Sequence, residues 1–320
     1  MQGLGSRGRE NEGRYRSVVL EEARWGLLVS RVGPERSGEG DDDMHDIARF
    51  SLRDMIECSS VIRKLGNDAT SMEQAAQRLI SFLYDDLVDP HTLARSCALV
   101  RFYKTHSFGQ LDDIRRRSAE SLVPGGFIDP EMRCLTLLAT MGNEPAWCSV
   151  AQSRGHQVIP LQSEESVARL PMVAQLIAEL GVDLGAVLRL AVVRDAASLV
   201  GARGATPPLP TDTKAQNFNV FYVREAAGCP HVPAQAEFVE RHGVRSVLGF
   251  GGQLPTGDIF AVILFTKVPV QPETRELFKT IALAAKLCVV PFAKDHIFAQ
   301  PRGGQPRAGN PVPDARTILQ

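Results

Sequence analysis

Neither sign of charge is in excess in this chain: 36 Lys and Arg stand against 37 Asp and Glu, a net charge of −1 at neutral pH. A protein that grips nucleic acid by its phosphates carries a strong basic excess, so the balance argues against a general nucleic-acid binder. Long hydrophobic runs are also missing. None approaches the ~18 residues of a membrane span, and the N-terminal residues hold charges without the continuous apolar core of a secretory signal. No membrane partner is expected. Aromatic residues are few, at 6%, and the six cysteines (Cys58, Cys97, Cys134, Cys148, Cys229, Cys288) include no close pair. Several fall inside apolar patterns, where a free thiol acts as a small hydrophobe. A reduced, cytoplasmic setting follows. Local catalytic motifs are absent as well: no G-x-S-x-G, no H-E-x-x-H, no P-loop. A site assembled in space leaves no such mark, but the sequence itself points away from an enzyme and specifies no cofactor.

What the chain does have is apolar content, 44% of 320 residues, ordinary for a globular core. Residues 1–44 are rich in Gly, Arg and Glu and read as a disordered or weakly structured arm. The Pro- and Gly-rich stretch 298–320 reads as a disordered tail. Between them, 45–297 reads as one folded domain. Helical spacing predicts helices over 46–65 and 72–87, the second capped by Thr70 or Ser71, with Glu73 or Gln74 three residues on. Strands are expected at 97–103 and 133–140. Between them lies a charged helix at 110–122, with Arg115, Arg116 and Arg117 on a solvated face. An insertion follows at 142–216: a helical turn at 145–151, a short strand at 156–161, a helix at 171–180 stopped by Gly181, and an apolar stretch at 184–200 read as helix. These segments are too short to bury a core alone, so the insertion is expected to close over the sheet as a lid. A strand at 218–223 and a helix from Pro233 to 241 come next.

The most informative stretch is 245–292. Residues 246–254 are apolar and Gly-rich, and Pro255-Thr256-Gly257-Asp258 has Pro and Gly at turn positions. Residues 259–268 form an apolar run of strand length, which Pro269 and Pro272 stop. Leu277, Ile281, Ala284, Ala285 and Cys288 then fall at helical spacing. The order of elements, with FVERHGVRSVL at 238–248 and GDIFAVIL at 257–264, resembles a GAF domain. The resemblance is clear over 218–292 and looser over 71–140. More narrowly, 46–292 looks like the N-terminal sensory region found ahead of output modules in bacterial sensor histidine kinases and related signalling proteins.

This resemblance implies an α+β sandwich: an antiparallel sheet with terminal helices on one side and an inserted helical lid on the other. It also implies a non-catalytic module of two-component-type signal transduction that senses or regulates by binding a small molecule or a protein. Its partners would be an unidentified small-molecule ligand, a second copy met through helices 72–87 and 273–290, and a signalling output protein. On the second of these helices Leu277, Ile281, Ala284 and Cys288 form a stripe that has to cover the chain's own sheet first. Two other readings stay open: an interaction scaffold with a filled pocket, and a redox enzyme working through Cys229 or Cys148. The chain departs from GAF patterns in its long insertion. It also lacks the Asn-Lys-x-Phe-x-Asp-Glu pattern of cyclic-nucleotide GAF domains and the Cys-His pair that holds a bilin.

Six residues are candidates for ligand contact. Arg101 and Tyr103 project to one face by period two and suit an anionic or planar ligand if that face borders a pocket; a solvated strand end is the plainer reading. Tyr222 has the same status on its strand. His156 reaches in from the insertion or lies at the surface of a strand start. Cys229 and His231, in Cys-Pro-His, could share a metal, but no third ligand is near in sequence, and no metal site is expected. Gly249, Gly251 and Gly252 lack the following helix N-terminus that a phosphate cradle needs; they suit a bulge or a close backbone approach.

Overall fold

The computed structural model describes residues 44–123, 128–188 and 219–299. Expectations for the N-terminal arm, for most of the tail and for 189–218 lie outside those residues.

Helix α1, Leu52–Lys64, starts where Ser51 and Asp54 cap each other, the Ser51 hydroxyl accepting from Asp54 N and the Asp54 carboxylate accepting from Ser51 N. The expected start at 46 is corrected: Asp46 caps a separate 3-10 turn, Ile47–Arg49, and Phe50 is extended before the α-helix begins. Helix α2, Met72–Asp86, is capped by the Ser71 hydroxyl. Strand β1 is Cys97–Ser107, helix α3 is Asp113–Leu122, capped by Asp112, and strand β2 is Arg133–Gly142. From the insertion come β3, Val158–Leu161, the short helix α4, Glu164–Ala168, and α5, Pro171–Glu179. Strands β4, Val220–Val223, β5, Ser246–Gln253, and β6, Ile259–Thr266, lead to the long helix α6, Pro272–Val289.

The six strands form one sheet in the order β3-β2-β1-β6-β5-β4, every neighbouring pair antiparallel. This is the expected α+β class. The insertion does more than cover the sheet, because its β3 pairs with β2 as an edge strand. One face buries Val100, Phe102, Leu138, Phe250 and Phe260 against Leu79 of α2 and Phe278 and Ile281 of α6. The other buries Leu99, Leu135, Leu137, Phe221 and Ile263 against Val167, Leu176 and Ile177 of α4 and α5. Gly249 makes that second layer close: a Cβ there would stand 2.8 Å from Leu176 Cδ1 and 3.1 Å from the Phe221 ring.

Three further expectations change. The helix from Pro233 is instead one π turn, Gln235–Glu240, entered through Ala234 in the left-handed region at φ 54°. The Gln235 side chain explains the wide turn: it accepts from Gly228 N and donates toward the carbonyls of Ala226, Cys229 and Val232, binding the turn to its preceding loop. Arg115 is not on a solvated face, because its guanidinium lies over the Phe298 ring at 4.4 Å and pairs with Glu73. Phe298 and Ala299, read as the start of the tail, are held in place: Phe298 stacks on His106, and Ala299 N donates to Glu73.

The stripe of α6 covers the chain's own sheet, as expected. Ile281, Ala284 and Cys288 are buried in the first core and Leu277 packs against it. The apolar side chains left outward are Leu283 and Leu287 of α6, 42% and 50% exposed, and Leu52 and Ile56 of α1.

Candidate functional site

Arg101 lies in the middle of β1, with Thr140 of β2 on one side and Ile263 of β6 on the other. Alternation sends it to the second face with Leu99 and Tyr103. Arg101 is only 7% exposed, and its Nε is buried without an acceptor. Among the described residues no hydrogen bond or ion pair reaches this guanidinium. A charge so placed is costly, by several kcal/mol in general, unless something compensates it.

Tyr103 follows two residues on, 4% exposed and packed in the same core. Its hydroxyl has no hydrogen-bond partner among the described residues. His156, half-buried just before β3, faces Arg101 electrostatically. Its Nδ1 lies 3.3 Å from the Arg154 carbonyl; a carbonyl only accepts, so Nδ1 carries the proton. Burial first, and the Arg101 charge second, lower the imidazole pKa to about 3, and the ring is neutral near pH 7. The second face therefore gathers one cation, one phenol and one neutral imidazole beside Leu99, Leu137 and Ile263. None of these is a nucleophile held by a base. The chemistry on offer is charge-assisted hydrogen bonding.

The other sequence candidates lie elsewhere. The Tyr222 hydroxyl donates to Val270 O at 2.6 Å, and the ring packs on the first core, on the opposite face of the sheet. Cys229 and His231 sit in the loop before the π turn; Cys229 is half-buried against the second core, and His231 Nδ1 is buried without a partner. A group with ligand spacing, His45, Asp54 and Glu57, does occur. Its Asp54 is already engaged by Ser51 and by His45 at 3.0 Å, as a helix cap. A concavity of about 320 Å³ between α5 and the start of α6 is lined by Gln175, Ala178, Glu179, Asn219 and Arg275. It is wide open, and its Arg275 charge is met by Glu179 at 3.0 Å. We place the site at Arg101 instead, a buried cation with no carboxylate partner among the described residues.

Sequence reasoning did not find a second cluster, at the end of the sheet where β2 and β6 begin. Lys104, fully buried, donates to Asp258 Oδ2 at 3.0 Å and to Thr105 O at 2.9 Å. Arg133 donates to Asp258 Oδ1, to Thr105 Oγ1 at 3.1 Å and to Ser107 Oγ at 3.2 Å. Thr256 donates to Asp258 Oδ2 at 2.7 Å. Burial alone would raise the Asp258 pKa, but Lys104, then Arg133, and their hydrogen bonds outweigh it and hold the carboxyl at about 2. The available signal was a charge standing directly before an apolar strand, Arg133 ahead of CLTLLAT and Asp258 ahead of IFAVILF.

No protein-family model matches the chain, and no curated protein matches it in sequence. Among solved structures, the N-acylhomoserine-lactone-dependent LuxR-family transcription factor CepR2 from Burkholderia cenocepacia aligns with 75% of this chain and 99% of its own. The identity is 11% and the TM-score 0.31. A likeness that weak carries no argument about binding or activity. No described helix is long and apolar enough to cross a membrane.

Proposed function

We propose that the chain is a non-catalytic regulatory module that binds a small molecule on the second face of its sheet, at Arg101, Tyr103 and His156. The supporting observation is the Arg101 guanidinium, 7% exposed with no anionic partner among the described residues. A buried arginine with a purely structural role is matched by protein groups, as Arg133 is by Asp258. Arg101 is not, so its compensation is assigned to a ligand. Two flanking groups can add hydrogen bonds, and neither brings a second charge. Native mass spectrometry of protein made in its own host tests the reading. A bound small molecule that disappears in Arg101→Met supports it; ligand-free wild-type protein that is also indifferent to a panel of small acids and amides in thermal melts overturns it.

A protein-interaction role has its own observation in the outward Leu283 and Leu287, one turn apart on α6, with Leu52 and Ile56 on the adjoining α1. Four large apolar side chains on one helical layer suit a second copy of the chain better than water. This homodimer should sediment at micromolar concentration near twice 34.9 kDa. Replacing Leu283 and Leu287 together by Glu should return it to monomer. A wild-type monomer removes this reading and leaves the ligand site untouched.

A further inference from the structure

Resting on that reading, we propose that the Arg101 site takes a small organic monoanion, a carboxylate carrying an apolar body. The charge count comes first. Among the described residues Arg101 is the cation on this stretch of the second face, and its β1 neighbours on that face are Leu99 and Tyr103. One buried positive charge is matched by one negative charge; a dianion would leave a surplus charge in a dry place, which is as costly as none. Geometry narrows the class further. A guanidinium presents parallel N–H donors that fit the two oxygens of a carboxylate. The Tyr103 hydroxyl can donate to the same oxygens, from two residues along the strand. His156 holds its Nδ1 proton toward the Arg154 carbonyl at 3.3 Å and stays neutral, so it does not turn the site into a dianion cradle.

The body of the ligand follows from the walls. Leu99, Leu137 and Ile263 flank the polar groups, and Ala261, opposite Tyr103 on β6, is small. A charged or heavily hydroxylated body would lose its water there without replacement. A short acyl chain or a single aromatic ring would gain by burial.

Carboxylates and their neutral amides, matched in shape, provide the test: benzoate with benzamide, and hexanoate with hexanamide, titrated into the full chain by calorimetry. Each acid is expected to bind at least tenfold tighter than its amide. Arg101→Gln should erase that preference, Arg101→Lys should keep part of it, and Tyr103→Phe should weaken the acid about threefold or more while leaving the amide unchanged. Circular dichroism on each variant separates loss of binding from loss of fold, and Arg101→Lys keeps the charge if Arg101→Gln does not fold. Equal binding of acid and amide at this face overturns the monoanion while the ligand-binding reading survives. Inorganic phosphate competing as well as benzoate also overturns it. If neither acid nor amide binds, both the monoanion and the reading beneath it fall.

Discussion

Two buried cation sites lie on the same strand, three residues apart, and they are built on opposite principles. At Lys104 the chain supplies an anion. Asp258 stands between Lys104 and Arg133, Thr105 and Ser107 accept from Arg133, and Thr256 donates to the carboxylate. At Arg101 the described residues supply a cation and two neutral neighbours, with no anion among them. Burial is comparable at the two sites, so exposure does not separate them. The difference is the anion, since the Nε of Arg133, like that of Arg101, lacks an acceptor. A completed cluster ties three strands together at the end of the sheet. An incomplete one stores an unmet interaction that a ligand can meet, which is how a binding site differs from a structural ion pair.

The comparison breaks most visibly at Asp258. Asp258→Asn leaves Lys104 and Arg133 buried without their anion and should cost about 3–5 kcal/mol of unfolding free energy, the range for removing one partner of a buried pair. Urea titration with an unchanged slope would measure it. A loss under about 1 kcal/mol would mean that the cluster holds nothing together.

The next effect is the acid limb of stability. The folded carboxyl of Asp258 sits at about 2, below the ~3.9 of an unfolded Asp. Between those values the unfolded chain binds the extra proton. The stability from Asp258 is therefore complete above about pH 5 and drains away as pH falls toward 2, by about 2–3 kcal/mol. Asp258→Asn should lack that part of the limb. A mutant and wild type that lose stability in parallel over this window would assign the acid sensitivity elsewhere.

Arg101→Met carries the opposite sign. Removing an unmatched buried charge and filling its place with an apolar chain should leave stability unchanged or raise it by up to about 4 kcal/mol, while binding of acids is lost. If Arg101→Met is destabilised as much as Asp258→Asn in the same urea titration, Arg101 belongs with the structural cluster and the comparison collapses.

The architecture was legible where local pattern and burial agree. Strands β1, β2, β5 and β6 are apolar runs bounded by turns, and the hairpin 254–258 closes through Gly257 at φ 85° as its Pro-Thr-Gly-Asp sequence requires. Pro272 opens α6 at the position where a missing N–H costs nothing. Less legible was anything decided across the sheet. Alternation placed Arg101 and Tyr103 on one face, but only the packing of the insertion brings His156 to them. Tyr222 carries the same alternation argument, yet its neighbours Phe221 and Val223 take the second face, so the Tyr222 ring falls to the first. The Lys104–Asp258 contact spans 154 positions, and no local spacing announces it. The π turn at 235–240 escaped for a related reason, since its cause is the reach of the Gln235 side chain to carbonyls earlier in the loop.

The smallest effects discriminate most finely, because they compare two hydroxyls on one strand and one face. Thr105 Oγ1 accepts from Arg133 at 3.1 Å and from Ile259 N at 2.9 Å. Thr105→Val keeps the shape and strands both donors, so it should cost about 1–3 kcal/mol. Tyr103, two residues earlier, is a buried residue whose hydroxyl has no partner among the described residues. Tyr103→Phe removes a group that the folded protein does not use, and stability should stay within about 0.5 kcal/mol of wild type. Its effect should surface only on titration with benzoate, as weaker binding. The two substitutions, measured side by side, set a satisfied polar group against one left open. Equal destabilisation by both would show that the Tyr103 hydroxyl is already engaged inside the fold, and the second face would then have nothing to offer a ligand beyond Arg101 alone.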